Sequence, residues 1–200
     1  MGTDVARTDK RLSAALRAAQ RGDQDAFRRL YRAVQPRLVR YLSVLVGEAA
    51  DQVAAQTWQE ITQGLGDFRG DFQRFRGWIT VIGRGRALEN LRGRDPGAPT
   101  SRQQPAPAGD SGDADRATEP PSTDAAIALI AGLPADQGEA VLLRVVMGLN
   151  TRQAAEILGR TAEAIETTTH QGLRNLADRL ERAGAPPRAG DEPGAEVNRP

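Results

Sequence analysis

Cysteine is absent from the 200-residue sequence, and histidine occurs once, as His170. Disulfides, zinc–thiolate sites and thiol nucleophiles are thereby excluded, and so is a multi-histidine metal centre. Aromatic residues are scarce at 4%, whereas apolar residues reach 39%. A core built under those limits must rest on Leu, Val, Ile and Ala, a palette that favours helices over sheets. No strand-like alternation occurs, and no apolar run suits a secretion signal or a membrane span. The sequence therefore predicts an all-α, soluble, cytoplasmic protein. Also missing are a phosphate-cradling glycine loop, a Gly-x-Ser-x-Gly elbow and a repeated acidic metal pattern. The expectation is a protein that is not an enzyme and has no catalytic residues, metal, cofactor, small-molecule substrate or membrane partner.

The formal net charge of +1 conceals a segregation along the chain. Residues 1–94 carry 17 basic and 10 acidic side chains, residues 95–123 carry 2 and 5, residues 124–182 carry 6 and 8, and residues 183–200 carry 2 and 3. Charge balance by segment directs polyanion contact to the first half. Nearly all of the positive charge is arginine, which suits phosphates and base edges better than lysine does. A GC-rich genome alone would also produce that preference.

Periodicity divides the chain into two small domains, at 9–94 and 124–182. Between them, residues 95–123 are rich in Pro, Gly, Ser, Ala and Asp and read as a disordered linker; residues 183–200 read as a disordered tail. In the first block, Leu12, Leu16 and Ala19 mark a short amphipathic helix ending near Gly22. Asp23 or Asp25 is placed to cap the next helix, whose face is Phe27, Leu30, Tyr31, Val34 and Leu38. Pro36 is expected to kink or restart it. A third helix spans about Ala49–Leu65, a loop covers Gly66–Gly77, and a fourth helix runs from Trp78 to Leu91. The second block opens with a weak helix at Ala125–Ile130. Leu133-Pro134 then opens a helix with proline at its first position and Val141, Leu142, Val145 and Val146 buried.

From Thr151 to Leu176, a short helix, a glycine-bearing turn and a longer helix describe a helix-turn-helix. Ala155 lets the second helix approach, Gly159 permits the turn, and Ile165 plugs the gap. Thr161 caps the last helix, with Ala164, Leu173, Leu176 and Leu180 joining Ile165 on its inner side. The outer face would carry Glu163, Glu166, Thr167, His170, Gln171 and Arg174 into a major groove, with Arg160 at the turn. An ordinary helical hairpin has the same periodicity.

Phe68, Arg69, Phe72, Arg74, Phe75, Arg76 and Trp78 interleave rings with guanidiniums. Three of the four phenylalanines and one of the two tryptophans fall in this stretch. Rings stack on unpaired bases and guanidiniums hold phosphates, so the segment suits a single strand. The competing role for the rings is to close the loop onto the core, and about half of them are expected to do so.

With both blocks in view, the chain resembles the sigma-70 family in its two-domain extracytoplasmic-function class. Gly22-Asp23, Ala26-Phe27 and Leu30-Tyr31 look like the opening of sigma domain 2. Phe68-Arg69-Gly70, Phe75-Arg76-Gly77-Trp78-Ile79, Ile82-Gly83-Arg84 and Leu91-Arg92 look like its promoter-reading end. Leu133-Pro134, Leu143-Arg144, Gly148-Leu149, Ala155-Glu156-Ile157-Leu158-Gly159 and Leu173-Arg174-Asn175-Leu176 look like sigma domain 4. The resemblance implies a subunit that binds core RNA polymerase and directs promoter-specific initiation, and it implies control by an anti-sigma factor. Asp51, Gln52, Val53, Gln56, Thr57 and Trp58 would grip the β′ clamp. Phe68, Arg69, Phe72, Arg74, Phe75, Arg76, Trp78, Arg84 and Arg86 would recognise and open the −10 element. Arg160, Thr161, Glu163, Glu166, Thr167, His170, Gln171 and Arg174 would read the −35 element.

Three positions depart from that pattern. Ala55-Gln56 stands where Gln-Glu is usual, Gly85 follows Arg84 where Asn is usual, and Glu166 follows the plug Ile165 where a basic residue is usual. These departures leave open a sigma-like regulator or adaptor that no longer initiates; an alternative of another class is a plain helix-turn-helix repressor with an unrelated N-terminal helical domain.

Overall fold

The computed structural model describes residues 2–94 and 123–184. Residues 95–122 and 185–200, where the sequence predicts linker and tail, lie outside the described residues. The described residues form eight α-helices and no strand: α1 (Gly2–Ala19), α2 (Gln24–Val46), α3 (Ala50–Gly64), α4 (Phe72–Arg94), α5 (Thr123–Ala131), α6 (Ala135–Val141), α7 (Thr151–Leu158) and α8 (Ala162–Gly184). A 3-10 turn precedes α3, and a π-turn at Leu142–Val146 follows α6.

The axis of the first unit is α2, against which α1, α3 and α4 all pack. Asp23 caps it, its side chain accepting from the Ala26 amide at 2.9 Å. Leu30, Val34, Leu38, Tyr41, Leu42 and Val46 recur at three- and four-residue steps and are buried along one seam. Pro36 does not restart α2, which runs unbroken from Gln24 to Val46. An interior proline costs about 3 kcal/mol. Here its ring sits on the exposed face while the seam on both sides of it is buried, so packing offsets the lost backbone bond.

A second departure is the start of α4. The sequence predicts a loop from Gly66 to Gly77, yet the helix begins at Phe72. Asp71 supplies the start signal: its carboxylate accepts from the Arg74 amide at 2.9 Å and its carbonyl from the Phe75 amide at 2.9 Å. At the other end of the unit, α1 begins at Gly2, earlier than the periodicity suggests.

In the second unit, α8 packs across α6 and α7. Pro134 is the residue before α6 rather than its first member. The π-turn rotates the register, so Leu143 and Met147 become fully buried and Val145 is 57% exposed, against expectation. Leu173 and Leu180, expected inside, are 42% and 43% exposed. The inner face of α8 instead runs through Ile165, Thr168, Thr169 and Gly172. Gly172 lies against Gln137 and Val141 of α6, where a Cβ would meet the valine methyl at 2.7 Å.

Candidate nucleic-acid interface

The stretch from Leu65 to Trp78 is held by α1 and the residue that follows it. Gln20 at the end of α1 donates to the carbonyls of Leu65 and Phe68 at 3.1 and 2.7 Å. Ser13 accepts from the Phe72 amide at 3.1 Å, and Asp9 accepts from the Gln73 amide group at 2.9 Å. Within this frame the four rings form one cluster. Phe68 stacks on Trp78 with centroids 5.0 Å apart and meets Phe75 edge-on at 5.7 Å. The Trp78 indole lies over Gly64, where a Cβ would approach its ring to 3.0 Å.

The cluster divides between two roles. Phe72 and Phe75 are 3% and 0% exposed and belong to the core, the role expected of about half of the rings. Arg76 is buried too, for a physical reason: its guanidinium lies over the Phe72 ring at 5.2 Å and pairs with Asp9 at 3.5 Å. Burial pulls that guanidinium below its ordinary value, with Asp9 opposing and Arg37 reinforcing the shift. Half-buried Phe68 and Trp78 and exposed Arg69 and Arg74 remain at the surface. Arg69 is held partly by the carbonyls of Gly66 and Phe68, at 2.9 and 3.0 Å.

Further along α4, Arg84 and Arg86 already have partners. The Arg84 Nε donates to Glu139 of α6 at 2.9 Å. Burial lowers the Arg84 guanidinium, but the hydrogen bond and charge of Glu139 outweigh it and leave the group above its ordinary value. Arg86 donates to Glu60 at 2.7 Å and to Glu89 at 3.0 Å, and both carboxylates raise it.

On α3 the expected polymerase-binding residues split by helical face. Asp51, Gln52 and Gln56 are exposed, as are Ala55 and Gln59. Val53, Thr57 and Trp58 are buried, so they shape the helix from behind and do not offer contact surface. The Trp58 indole donates to Gln35 at 2.6 Å, and Phe27 and Tyr31 flank its ring at 5.8 and 4.9 Å. Gln35 is a supporting residue that the sequence did not single out, because its partner lies 23 positions away on another helix.

The helix-turn-helix has the expected geometry. Asn150 caps α7 through a reciprocal box with Gln153. Gly159 takes the left-handed conformation at φ 63°, and Ile165 is fully buried between the helices. Thr161 caps α8, accepting from the Ala164 amide at 3.2 Å. Glu163, Glu166, Thr167, His170, Gln171 and Arg174 are all exposed on one unit, as a groove-reading face requires. Arg160 at the turn lies 3.6 Å from Asp136, so part of its charge is already answered. Among the described residues, no helix is long and apolar enough to cross a membrane.

Two family models match. Sigma-70 region 2 covers residues 30–96, and sigma-70 region 4 covers residues 123–176. Among curated proteins, the chain is 30% identical over 183 residues to the ECF RNA polymerase sigma factor SigD of Mycobacterium tuberculosis, covering 88% of this chain and 86% of that one. It is 26% identical over 171 residues to the ECF RNA polymerase sigma factor BldN of Streptomyces coelicolor, with 84% and 65% covered. The fold is similar to that of CnrH, solved in complex with the cytosolic domain of CnrY, at a TM-score of 0.54, 20% identity and coverage of 87% and 97%. It is also similar to RpoE, solved with the anti-sigma factor NepR from Bartonella quintana, at a TM-score of 0.56, 19% identity and coverage of 78% and 96%. The chain belongs to the ECF RNA polymerase sigma factors of the sigma-70 family, which direct transcription initiation.

Proposed function

We propose that this sigma factor divides its work among three surfaces. The exposed face of α3, with Asp51, Gln52 and Gln56 at its centre, takes the β′ clamp of core polymerase. The Phe68–Trp78 stack, flanked by Arg69 and Arg74, takes unpaired bases of the −10 element; Arg84 and Arg86 join it once their carboxylate partners yield. The outer face of α8 takes the −35 duplex, with Arg160 and Thr161 at the turn. The two working units correspond to residues 9–94 and 124–182. The protein acts in the cytoplasm, performs no chemistry of its own and is held in check by an anti-sigma partner, as the solved complexes of similar fold suggest.

A single observation supports this reading most strongly. Two stacked rings at 5.0 Å, half-buried and flanked by two exposed arginines, bridge the loop before α4 and the first turns of that helix, a region braced by α1. Such a platform suits bases that have left their partners, because stacking discriminates little among bases and guanidiniums answer the phosphates. The test is competition for core polymerase followed by binding to a premelted promoter fragment. The wild-type chain should form a holoenzyme that holds the fragment, and Asp51→Ala with Gln56→Ala should weaken core binding. A chain that holds the fragment equally well without core polymerase would contradict the reading.

The adaptor reading draws on Ala55, Gly85 and Glu166. It differs in one outcome: core binding without initiation from any fragment.

A further inference from the structure

The loop between α3 and α4 carries Phe68, one of the two rings assigned to unpaired bases, and hydrogen bonds hold that residue on both sides. The Phe68 amide donates to the Gly64 carbonyl at 3.1 Å, and the Asp67 amide donates to the same oxygen at 3.2 Å. The Phe68 carbonyl accepts twice, from Gln20 Nε2 at 2.7 Å and from Arg69 at 3.0 Å. Gly70 completes the turn at φ 153°, where a Cβ would stand 2.9 Å from that of Arg74 and 3.2 Å from the Phe68 ring. With its amide and carbonyl both held, Phe68 keeps its ring on Trp78 at 5.0 Å.

The two holders of the Phe68 carbonyl differ in kind. Arg69 is exposed, bonds the carbonyls of its own loop, and is a phosphate ligand in the functional reading. A guanidinium drawn to a phosphate gives up such bonds, because a charged acceptor binds it more strongly than a neutral carbonyl does. Gln20 is half-buried and comes from another element. Its backbone amide closes the last turn of α1 on Leu16, which is fully buried. Its side-chain amide has two N–H donors, and the carbonyls of Leu65 and Phe68 receive them. Leu65 ends α3, so one donor answers a helix-end carbonyl while the other fixes the loop.

We infer that Gln20 is a positioning residue for base capture: its amide keeps the Phe68 ring in place on Trp78 when Arg69 leaves the loop carbonyls for a DNA phosphate. Gln20 acts through Phe68 and touches no base. Its contribution is preorganisation, since a ring already in place loses less freedom when the strand arrives. The contact stands on geometry alone; its meaning for DNA rests on the functional reading above.

The test uses holoenzymes built with the full chain and a labelled premelted promoter fragment, with core affinity measured separately by competition. Gln20→Met keeps the length of the side chain and removes both donors. It should weaken fragment binding roughly tenfold, the worth of one or two hydrogen bonds, and leave core affinity unchanged. Gln20→Asn, whose amide stops one methylene short of both carbonyls, should show the same selective loss, so the outcome does not depend on how the methionine packs. A double-mutant cycle tells positioning from general support. Phe68→Leu removes the ring and should itself cost roughly 5- to 150-fold. On that background Gln20→Met should cost less than about twofold more, because the ring it positions is gone. Parent-like fragment binding by Gln20→Met, or losses that multiply in the double variant, would overturn the inference and leave the functional reading standing. An equal fall in core affinity would overturn it too, by showing that Gln20 only supports the fold. If Phe68→Leu costs nothing, the platform does not take bases, and it is the functional reading that fails.

Discussion

Phe75 and Trp78 sit three residues apart in the same aromatic cluster, yet one belongs to the core and the other faces the surface. Phe75 is 0% exposed and touches Phe68, Phe72 and Trp78. Truncating a fully buried phenylalanine costs about 3–5 kcal/mol through lost burial and the cavity left behind. For a chain of this size, each kcal/mol moves Tm by about 2–4 °C. Phe75→Ala should therefore lower the melting temperature by roughly 6–20 °C. Phe75→Leu, which nearly conserves volume, should cost less than about 1.5 kcal/mol. Trp78→Leu keeps an apolar side chain over Gly64 but removes the stacking surface. Its cost should appear in the holoenzyme's affinity for a premelted −10 strand, at about 1–3 kcal/mol, or roughly 5- to 150-fold. Thermal melts followed by circular dichroism, paired with fluorescence anisotropy of a labelled strand on holoenzyme, separate the two effects. If Trp78→Leu lowers Tm as far as Phe75→Ala and leaves strand affinity unchanged, the stack is only core and the −10 assignment is wrong.

Three further outcomes follow from the same geometry. Ala55→Gln with Gln56→Glu, on the exposed face of α3, should tighten core binding in a competition assay; equal or weaker binding counts against the clamp assignment. Glu166→Lys on holoenzyme should steepen the salt dependence of duplex binding by roughly one log–log unit if the carboxylate only repels phosphate. If it reads a cytosine instead, the change should lose about 1–3 kcal/mol of discrimination at one base pair. Gln35→Leu should leave the Trp58 indole without its 2.6 Å acceptor, costing about 1–3 kcal/mol in a denaturant titration; an unchanged midpoint would show that the bond does not support α3.

What the sequence revealed was local. Asn150 with Gln153, Gly159, Thr161 and Ile165 act within sixteen positions of one another, so spacing alone describes the helix-turn-helix. Signals hidden among stronger ones were lost. Asp71 starts α4 between Gly70 and Gly77, and the glycines pointed to a loop although Gly77 lies inside the helix. Pro36 pointed to a break that the buried seam of α2 prevents. Val145, Leu173 and Leu180 fitted an apolar stripe, but a π-turn carried Val145 outward, and α8 faces inward through Thr168, Thr169 and Gly172. Contacts across long separations left no trace in periodicity. Arg84 with Glu139, Gln73 with Gln153 and Arg76 with Asp9 are joined only by the fold, and two of those pairs tie the units together.

Run-off transcription addresses the central claim most directly. Core polymerase alone and core polymerase with this protein are given the same library of genomic fragments, and discrete transcripts are sought. The expected result is a small set of transcripts that require the protein, start at fixed positions and weaken with Trp78→Leu. Core binding with no protein-dependent transcript from any fragment would contradict it and leave a sigma-like adaptor in its place.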